Sequence, residues 1–170
     1  MVQPTVLRTL CGIAACGVNN RGNIIVGECG KDYAVYWIDG STNKIGPVVG
    51  GSETTALAVN GDGGVVVGFD YILVDILPVS RAFRWKKDAT PPIHNLNIPE
   101  DYSSNISRDL NNTGDIIVGY GTCAGGNTVA LRWKETSGGL EIVKLISPLE
   151  LIISLLRVRA KMVELSWALP

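Results

Sequence analysis

The stretch NRGNIIVG at Asn20–Gly27 recurs, with related residues, as GDGGVVVG at Gly61–Gly68 and as NTGDIIVG at Asn112–Gly119. Each copy is followed by a second landmark, an Ala-x-x-Trp segment, which ends at Trp37, Trp85 and Trp133. The tryptophans are 48 residues apart in both intervals. Self-similarity at a fixed spacing of this size is typical of repeat architectures, so the sequence predicts three structural units.

Each unit contains the signals of a turn and of two strands. An Asn-x-x-Gly element supplies residues that tolerate positive φ, which predicts a hairpin turn; the elements are Asn19 to Gly22, Asn60 to Gly63 and Asn111 to Gly114. The β-branched run that follows predicts a buried central strand. The runs close on glycines that permit close backbone approach or a bulge, namely Gly27, Gly68 and Gly119. The Ala-x-x-Trp segment is then a partner strand, whose tryptophan packs between neighbouring units.

The fold class follows from the number of strands in a unit. Shorter apolar stretches at residues 55–60 and 93–96 bring the number to about four, the size of a propeller blade. The sequence therefore predicts an all-β fold of three blade-like antiparallel repeats, at about residues 8–48, 49–97 and 98–145. Three blades make an incomplete, open propeller, because closed propellers use four to eight. Its open sheet edges predict self-association.

The middle unit resembles the bacterial extracellular HAF-repeat family, whose units run Gly-Gly-x-Ser, Ala-x-x-Asn-x-x-Gly, Val-Val-Gly and His-Ala-Phe-x-Trp. The matching positions are Gly50, Gly51, Ser52, Ala58, Asn60, Gly63, Val67, Gly68, Ala82, Phe83 and Trp85. The resemblance covers about residues 8–145, and Tyr33, Arg81 and Val129 replace the family's histidine. It implies a propeller-like surface or secreted repeat protein, often part of a much larger chain.

Composition and motifs give no indication of chemistry. A net charge of -1 provides no basic field for nucleic acid or an anionic membrane. His94, the single histidine, stands in no nucleophile, metal-ligand or carboxylate motif. The segment GTCAGGNT at residues 121–128 lacks the lysine and the helix of a phosphate loop. The sequence therefore predicts no catalytic, cofactor-binding or metal-binding residue.

The cysteines and the N-terminus leave the compartment open. No C-x-x-C pair occurs among the four cysteines, so two disulfides and buried free thiols remain alternatives for Cys11, Cys16, Cys29 and Cys123. Pro4 and Arg8 interrupt any apolar run near the start, which argues against a signal peptide in this chain. Extracellular or cell-surface localisation of the parent protein is therefore an implication of the family resemblance.

The middle unit is longer than the others between its closing glycine and its tryptophan. Gly68 and Trp85 are 17 positions apart, against 10 and 14 in the first and third units. The extra length falls in FDYILVDILPVSR at residues 69–81, which is unusually apolar for a loop. The preferred interpretation is a longer hairpin folded against its own blade, and the alternative is a contact surface for a partner.

The last 25 residues, 146–170, break the pattern because they contain neither glycine nor asparagine. Ser147, Pro148 and Glu150 fit the start of a helix, which predicts an amphipathic C-terminal helix, too short and too charged to span a bilayer. The alternative is a fourth repeat read in a shifted frame. The codons of Lys161–Val163 and Trp167–Ala168, shifted by one base, permit a phrase like that of Asp62–Gly68.

Two functions from different classes are consistent with these features. The first is a non-enzymatic, adhesin-like binding or structural module, a truncated fragment of a larger bacterial repeat protein with an unknown protein or glycan partner. It requires no cofactor. The alternative is a propeller-type enzyme or carbohydrate-binding fragment with a site on the loops of the central channel. A cluster of acidic or histidine side chains on one rim favours this alternative.

Overall fold

The computed structural model describes residues 13–30, 33–48 and 50–145. This part of the chain forms twelve strands in three four-stranded antiparallel sheets, each with its strands in chain order. The prediction of an all-β fold with three blade-like repeats is confirmed. The helix predicted after residue 146, and the alternative of a frameshifted repeat, lie outside the described residues.

The three sheets are blades 1, 2 and 3. Blade 1 comprises β1 (Ile13–Val18), β2 (Ile24–Cys29), β3 (Tyr33–Ile38) and β4 (Ser41–Gly46). Blade 2 comprises β5 (Gly51–Val59), β6 (Val65–Val74), β7 (Leu77–Lys86) and β8 (Ile93–Asn95). Blade 3 comprises β9 (Tyr102–Leu110), β10 (Ile116–Cys123), β11 (Thr128–Thr136) and β12 (Gly139–Leu145).

The tryptophans occupy the same register position in every blade. Trp85 on β7 pairs with Val66 on β6, and Trp37 and Trp133 pair with the equivalent residues of β2 and β10. All three indoles are buried. Because side chains alternate across a strand, each tryptophan lies on the same face of its sheet. We call this the leading face and the opposite one the trailing face.

The core lies between the blades. Ile24 and Val26, on the trailing face of blade 1, are in one cluster with Val66 and Trp85 of blade 2. A second cluster joins the trailing face of blade 2 to Trp133 and its neighbours in blade 3. Full burial of each such side chain contributes about 1.5–3 kcal/mol. The sheets therefore stabilise one another, and blade 2 is covered on both faces.

The glycine that closes each repeated phrase meets the backbone of the innermost strand. A Cβ atom at Gly68 would lie 1.9 Å from the carbonyl oxygen of Thr55. The same contact recurs at Gly27 and Gly119, within 2.0 Å. The strand pairing shifts register beside each of these glycines. A β-bulge in the inner strand therefore explains why each phrase ends in glycine.

Candidate functional site

The asparagines of the Asn-x-x-Gly elements organise the turns between the first two strands of each blade. The Asn60 side-chain oxygen accepts the Val65 backbone N–H at 2.9 Å, and the Asn60 carbonyl accepts that of Gly63 at 3.1 Å. Gly63 has a φ of 85°. Asn19 and Asn111 accept the N–H groups of the equivalent strand residues at 3.0 Å. These asparagines therefore hold turn backbone through their side-chain oxygens. The amides of Asn19, Asn60 and Asn111 donate to Asn23, to the Thr113 carbonyl and to Asp115, respectively.

The turns of the three blades meet at their first residues. The Asn20 side-chain amide donates to the side-chain oxygen of Asn112 at 2.5 Å, which links blade 1 to blade 3. Between them the Gly61 N–H donates to the Asn112 carbonyl at 3.1 Å. A Cβ at Gly61 would lie 1.8 Å from the Asn112 side chain. Sequence reasoning missed this convergence, although its signal is a glycine where the other two copies have asparagine.

An open depression of about 370 Å³ lies beside these turns, between blades 2 and 3. Charges of both signs line it, from Asp62, Lys86, Lys87 and Asp88. None of the described residues that line it is aromatic. Ligand pockets are usually deeper and mostly apolar. The depression is therefore a poor candidate for a small-molecule or sugar site.

Two carboxyl groups at the rim that these turns form, those of Asp62 and Asp115, are held in the ionised form. The backbone N–H of Gly64, followed by the Asn60 side chain, lowers the pKa of Asp62. The Thr113 hydroxyl, followed by the Asn111 amide, lowers the pKa of Asp115. A carboxyl group that acts as a general acid at neutral pH requires a raised pKa. Neither group is therefore suited to donating a proton to a substrate.

Asp70 is a buried carboxylate with a structural role. Burial raises its pKa, but its Oδ2 atom accepts the Val48 backbone N–H at 2.8 Å. A Cβ at Gly51 would lie 1.8 Å from the same oxygen. Asp70 therefore fastens the segment that joins blade 1 to blade 2. Because its side chain is fully buried, it is out of reach of a substrate.

The remaining chemical groups are scattered. His94 is exposed on the edge strand β8, and no metal-binding group of three His, Cys, Asp or Glu side chains occurs in the described part of the chain. Cys16 and Cys123 carry free thiols, so the alternative of two disulfides is wrong. The alternative of buried free thiols is wrong as well, because Cys16 is exposed and Cys29 is disulfide-bonded. Partial burial, and then the Glu28 carboxylate, raises the pKa of the Cys16 thiol. The nucleophilic thiolate is thereby disfavoured.

The apolar stretch of the middle unit forms a long hairpin. Strands β6 and β7 pair over ten residues each, from Val65 and Lys86 to Val74 and Leu77. The two turn residues, Asp75 and Ile76, have positive φ angles of 47° and 69°. This is the pattern of a type I′ turn, in which glycine and asparagine are preferred. A β-branched residue such as Ile76 is strained there.

The end of this hairpin, residues 73–77, exposes its apolar side chains, and we call it the hairpin tip. Leu73 is 67%, Ile76 91% and Leu77 66% exposed. The prediction of a longer hairpin is correct, but its folding against its own blade is not. The reason is that β5 pairs with β6 only as far as Ile72, and β8 covers only the base of β7. The tip therefore extends beyond the neighbouring strands.

An ion cluster joins blades 2 and 3 on the side of the turns. Lys86 Nζ lies 2.7 Å from each carboxylate oxygen of Glu135, and Arg84 Nη1 lies 3.4 Å from one of them. The Lys86 hydrogen bond, followed by partial burial acting in the opposite sense and by the charge of Arg84, lowers the pKa of Glu135. We call Arg84 and Lys86 the cation clasp. Sequence reasoning missed this contact because Lys86 and Arg84 are 49 and 51 positions from Glu135 in the chain.

No helix in residues 13–30, 33–48 and 50–145 is long and apolar enough to cross a membrane. No family model and no curated protein matches the chain. Among solved structures it is similar to TolB from Acinetobacter baumannii, with 14% identity and a TM-score of 0.57 over 83% of this chain and 35% of that one. It is also similar to a putative TolB from Agrobacterium tumefaciens, with 11% identity and a TM-score of 0.53 over 82% and 52%. The chain thus spans about a third to a half of these proteins, and the likeness shows the fold, an open arc of propeller blades.

Proposed function

We propose that this chain is a non-enzymatic, propeller-type module that binds a protein partner through the hairpin tip. In this proposal it belongs to an extracellular or surface repeat protein of the HAF type, larger than the present chain. The partner is a protein with an apolar groove. A glycan is the less suitable partner, because the tip offers apolar side chains and few hydrogen-bonding groups.

The observation that supports the proposal is the combination of strain and exposure at Ile76. A β-branched residue at positive φ destabilises the turn by about 1–2 kcal/mol. Because the Ile76 side chain is 91% exposed, its burial contributes almost no stabilisation that could offset this strain. Strain that the folded state does not offset is commonly found at functional sites. A partner that buries Ile76 supplies the missing stabilisation.

The alternative of an enzyme at the central loops has less support. The pKa values of Asp62 and Asp115, the carboxyl groups at the rim of the turns, are lowered. The pKa of Asp70 is raised, but its side chain is buried. Catalytic acids and bases need a poised group that also reaches the substrate. The described rim residues therefore favour binding over catalysis.

The decisive variant is Ile76→Asn, because it separates folding from binding. Asparagine tolerates positive φ, so the variant should fold at least as well as the wild type.

A photo-crosslinking side chain at position 76 identifies the partner in a surface extract, with the same group at exposed Ser137 as a control. The captured protein is then purified and titrated calorimetrically against the wild type and the Ile76→Asn and Ser137→Asn variants.

We expect Ile76→Asn to weaken the affinity by about 10-fold or more, since burying one such side chain contributes about 1.5–3 kcal/mol. Ser137→Asn should leave it unchanged. Equal affinities for all three proteins contradict the proposal. A protein captured equally well from positions 76 and 137 contradicts it too, because capture then does not depend on the tip.

A further inference from the structure

A second depression, of about 270 Å³, lies beside the hairpin tip of blade 2. Ser52, Glu53, Tyr71 and Pro78 line it, and we call it the hairpin pocket. Tyr71 is half-buried, and the other three residues are exposed. Pockets for whole small molecules have volumes of roughly 300–1,000 Å³. The hairpin pocket is therefore better suited to a single side chain than to a complete small-molecule ligand.

The hairpin pocket adjoins the hairpin tip on one face of the sheet. Side chains alternate along β6, so Tyr71 and Leu73 both lie on the trailing face. Pro78 pairs with Leu73 across the hairpin and lies on that face too. The Leu73 side chain is 67% exposed. A protein that contacts this side of the tip therefore reaches the pocket.

Tyr71 differs from the other four tyrosines in what its ring contacts. Three of those four have a cation over the ring, 4.2 to 5.8 Å from its centroid; the pairs are Lys44 with Tyr33, Arg108 with Tyr120 and Lys144 with Tyr102. The fourth, Tyr36, packs on Trp85. The Tyr71 ring meets that of Phe69 at 5.4 Å and 87°, and no lysine or arginine of the described residues lies over it. Its ring is therefore held in place and lacks the cation that three of the others have.

The acidic groups around the hairpin have no counter-ion of their own. Glu53 and Asp75 are exposed, and neither forms an ion pair within the part of the chain that the structure describes. Arg81 is the one basic residue in residues 69–81. It lies on the leading face, and its Nη1 atom donates to the carbonyl oxygens of Ser80 and Ser103 at 3.3 and 2.5 Å. The hairpin pocket therefore combines an aromatic ring with an uncompensated carboxylate.

We propose that the hairpin pocket holds an arginine side chain of the protein that binds the hairpin tip, an inference that rests on the proposed function. A guanidinium group stacks on an aromatic ring and donates paired N–H groups to a carboxylate. Tyr71 provides the ring and Glu53 the carboxylate. The Ser52 hydroxyl donates to the Tyr71 carbonyl at 3.2 Å, so its oxygen remains able to accept a further N–H. The partner is therefore apolar where it meets the tip and basic beside it.

Nuclear magnetic resonance of the full 170-residue chain tests the pocket, with Nα-acetyl-arginine methylamide as the probe. We expect saturable shifts of the Glu53 and Tyr71 backbone amides, and none with the neutral citrulline analogue. Glu53→Gln should weaken binding of the arginine probe by about 3- to 5-fold, the effect of an exposed charge pair. Glu100→Gln removes an exposed carboxylate outside the pocket and should leave binding unchanged. Absence of shifts with the arginine probe, or equal shifts with citrulline or with methyl β-glucoside, overturns the proposal.

The same variants separate this inference from the proposed function. Ile76→Asn lies outside the pocket and should bind the arginine probe as the wild type does. Against the protein captured at position 76, Glu53→Gln should weaken the affinity by the same factor and reduce its salt dependence, whereas Ile76→Asn should leave the salt dependence unchanged. If Ile76→Asn weakens that affinity and Glu53→Gln does not, the partner does not use the pocket and the inference is wrong. Full affinity of Ile76→Asn contradicts the proposed function instead.

Discussion

The replacement of Gly68 by alanine tests the reasoning about the repeated phrase most directly. The new Cβ atom would lie 1.9 Å from the Thr55 carbonyl oxygen and 3.0 Å from both the Ala56 Cα atom and the Phe83 ring. An ordinary contact of this kind needs more than 3 Å, so β5 and β6 must separate by about 1 Å. Since the nearest atom belongs to the backbone, a rotamer change cannot relieve the contact.

The magnitude follows from two effects. Overpacking of a well-packed interior destabilises by about 1–3 kcal/mol. A lost or weakened hydrogen bond between β5 and β6 adds about 0.5–1.5 kcal/mol. We therefore expect Gly68→Ala to lower the free energy of unfolding by about 2–4 kcal/mol, a large share of the stability of an ordinary domain. For a chain of this length the melting temperature should fall by about 5–15 °C.

Urea unfolding followed by tryptophan fluorescence measures the change, because the buried indoles of Trp85 and Trp133 become exposed on unfolding. Gly125→Ala is the matched control, since a Cβ at Gly125 has no atom within 4 Å. Both variants lose the same freedom in the unfolded chain, so their difference isolates the folded state. Midpoints within experimental error of each other would refute the proposed role of the closing glycines.

Three further predictions concern other contacts. Asn60→Ala removes the acceptor of the Val65 N–H inside the turn and should lower the free energy of unfolding by about 1–3 kcal/mol in the same urea assay; an unchanged midpoint contradicts the turn role. The lowered pKa of Glu135 stabilises the fold fully above the carboxyl pKa of the unfolded chain, and this stabilisation is lost as the pH falls through the folded pKa. Lys86→Met should flatten that part of the stability profile between about pH 5 and pH 2, and an unchanged slope argues against the clasp. Ile76→Asn should raise the melting temperature by a few degrees, about 1 kcal/mol, by relieving the turn; calorimetry that shows a decrease is evidence against strain.

The sequence by itself determined the repeating unit, because the interactions that define a blade are local. A turn with an asparagine cap, a β-branched strand and a glycine opposite a bulge each depend on residues close together in the chain. The spacing of Trp37, Trp85 and Trp133 therefore predicted the number of blades, and these local patterns predicted their strands. Even the hairpin of the middle unit was visible as extra length.

Only the tertiary structure decided what lies between and beyond the blades. Glu135 contacts Lys86, which is 49 positions away in the chain, and Asn20 contacts Asn112, which is 92 positions away. No local sequence pattern identifies either contact. The exposure of Ile76 likewise depends on where β5 and β8 end. These features arise when sheets pack face to face, and packing depends on side chains that are distant in the chain. For that reason the sequence predicted the blades, and the folded arrangement was needed to locate the exposed tip and the contacts between blades.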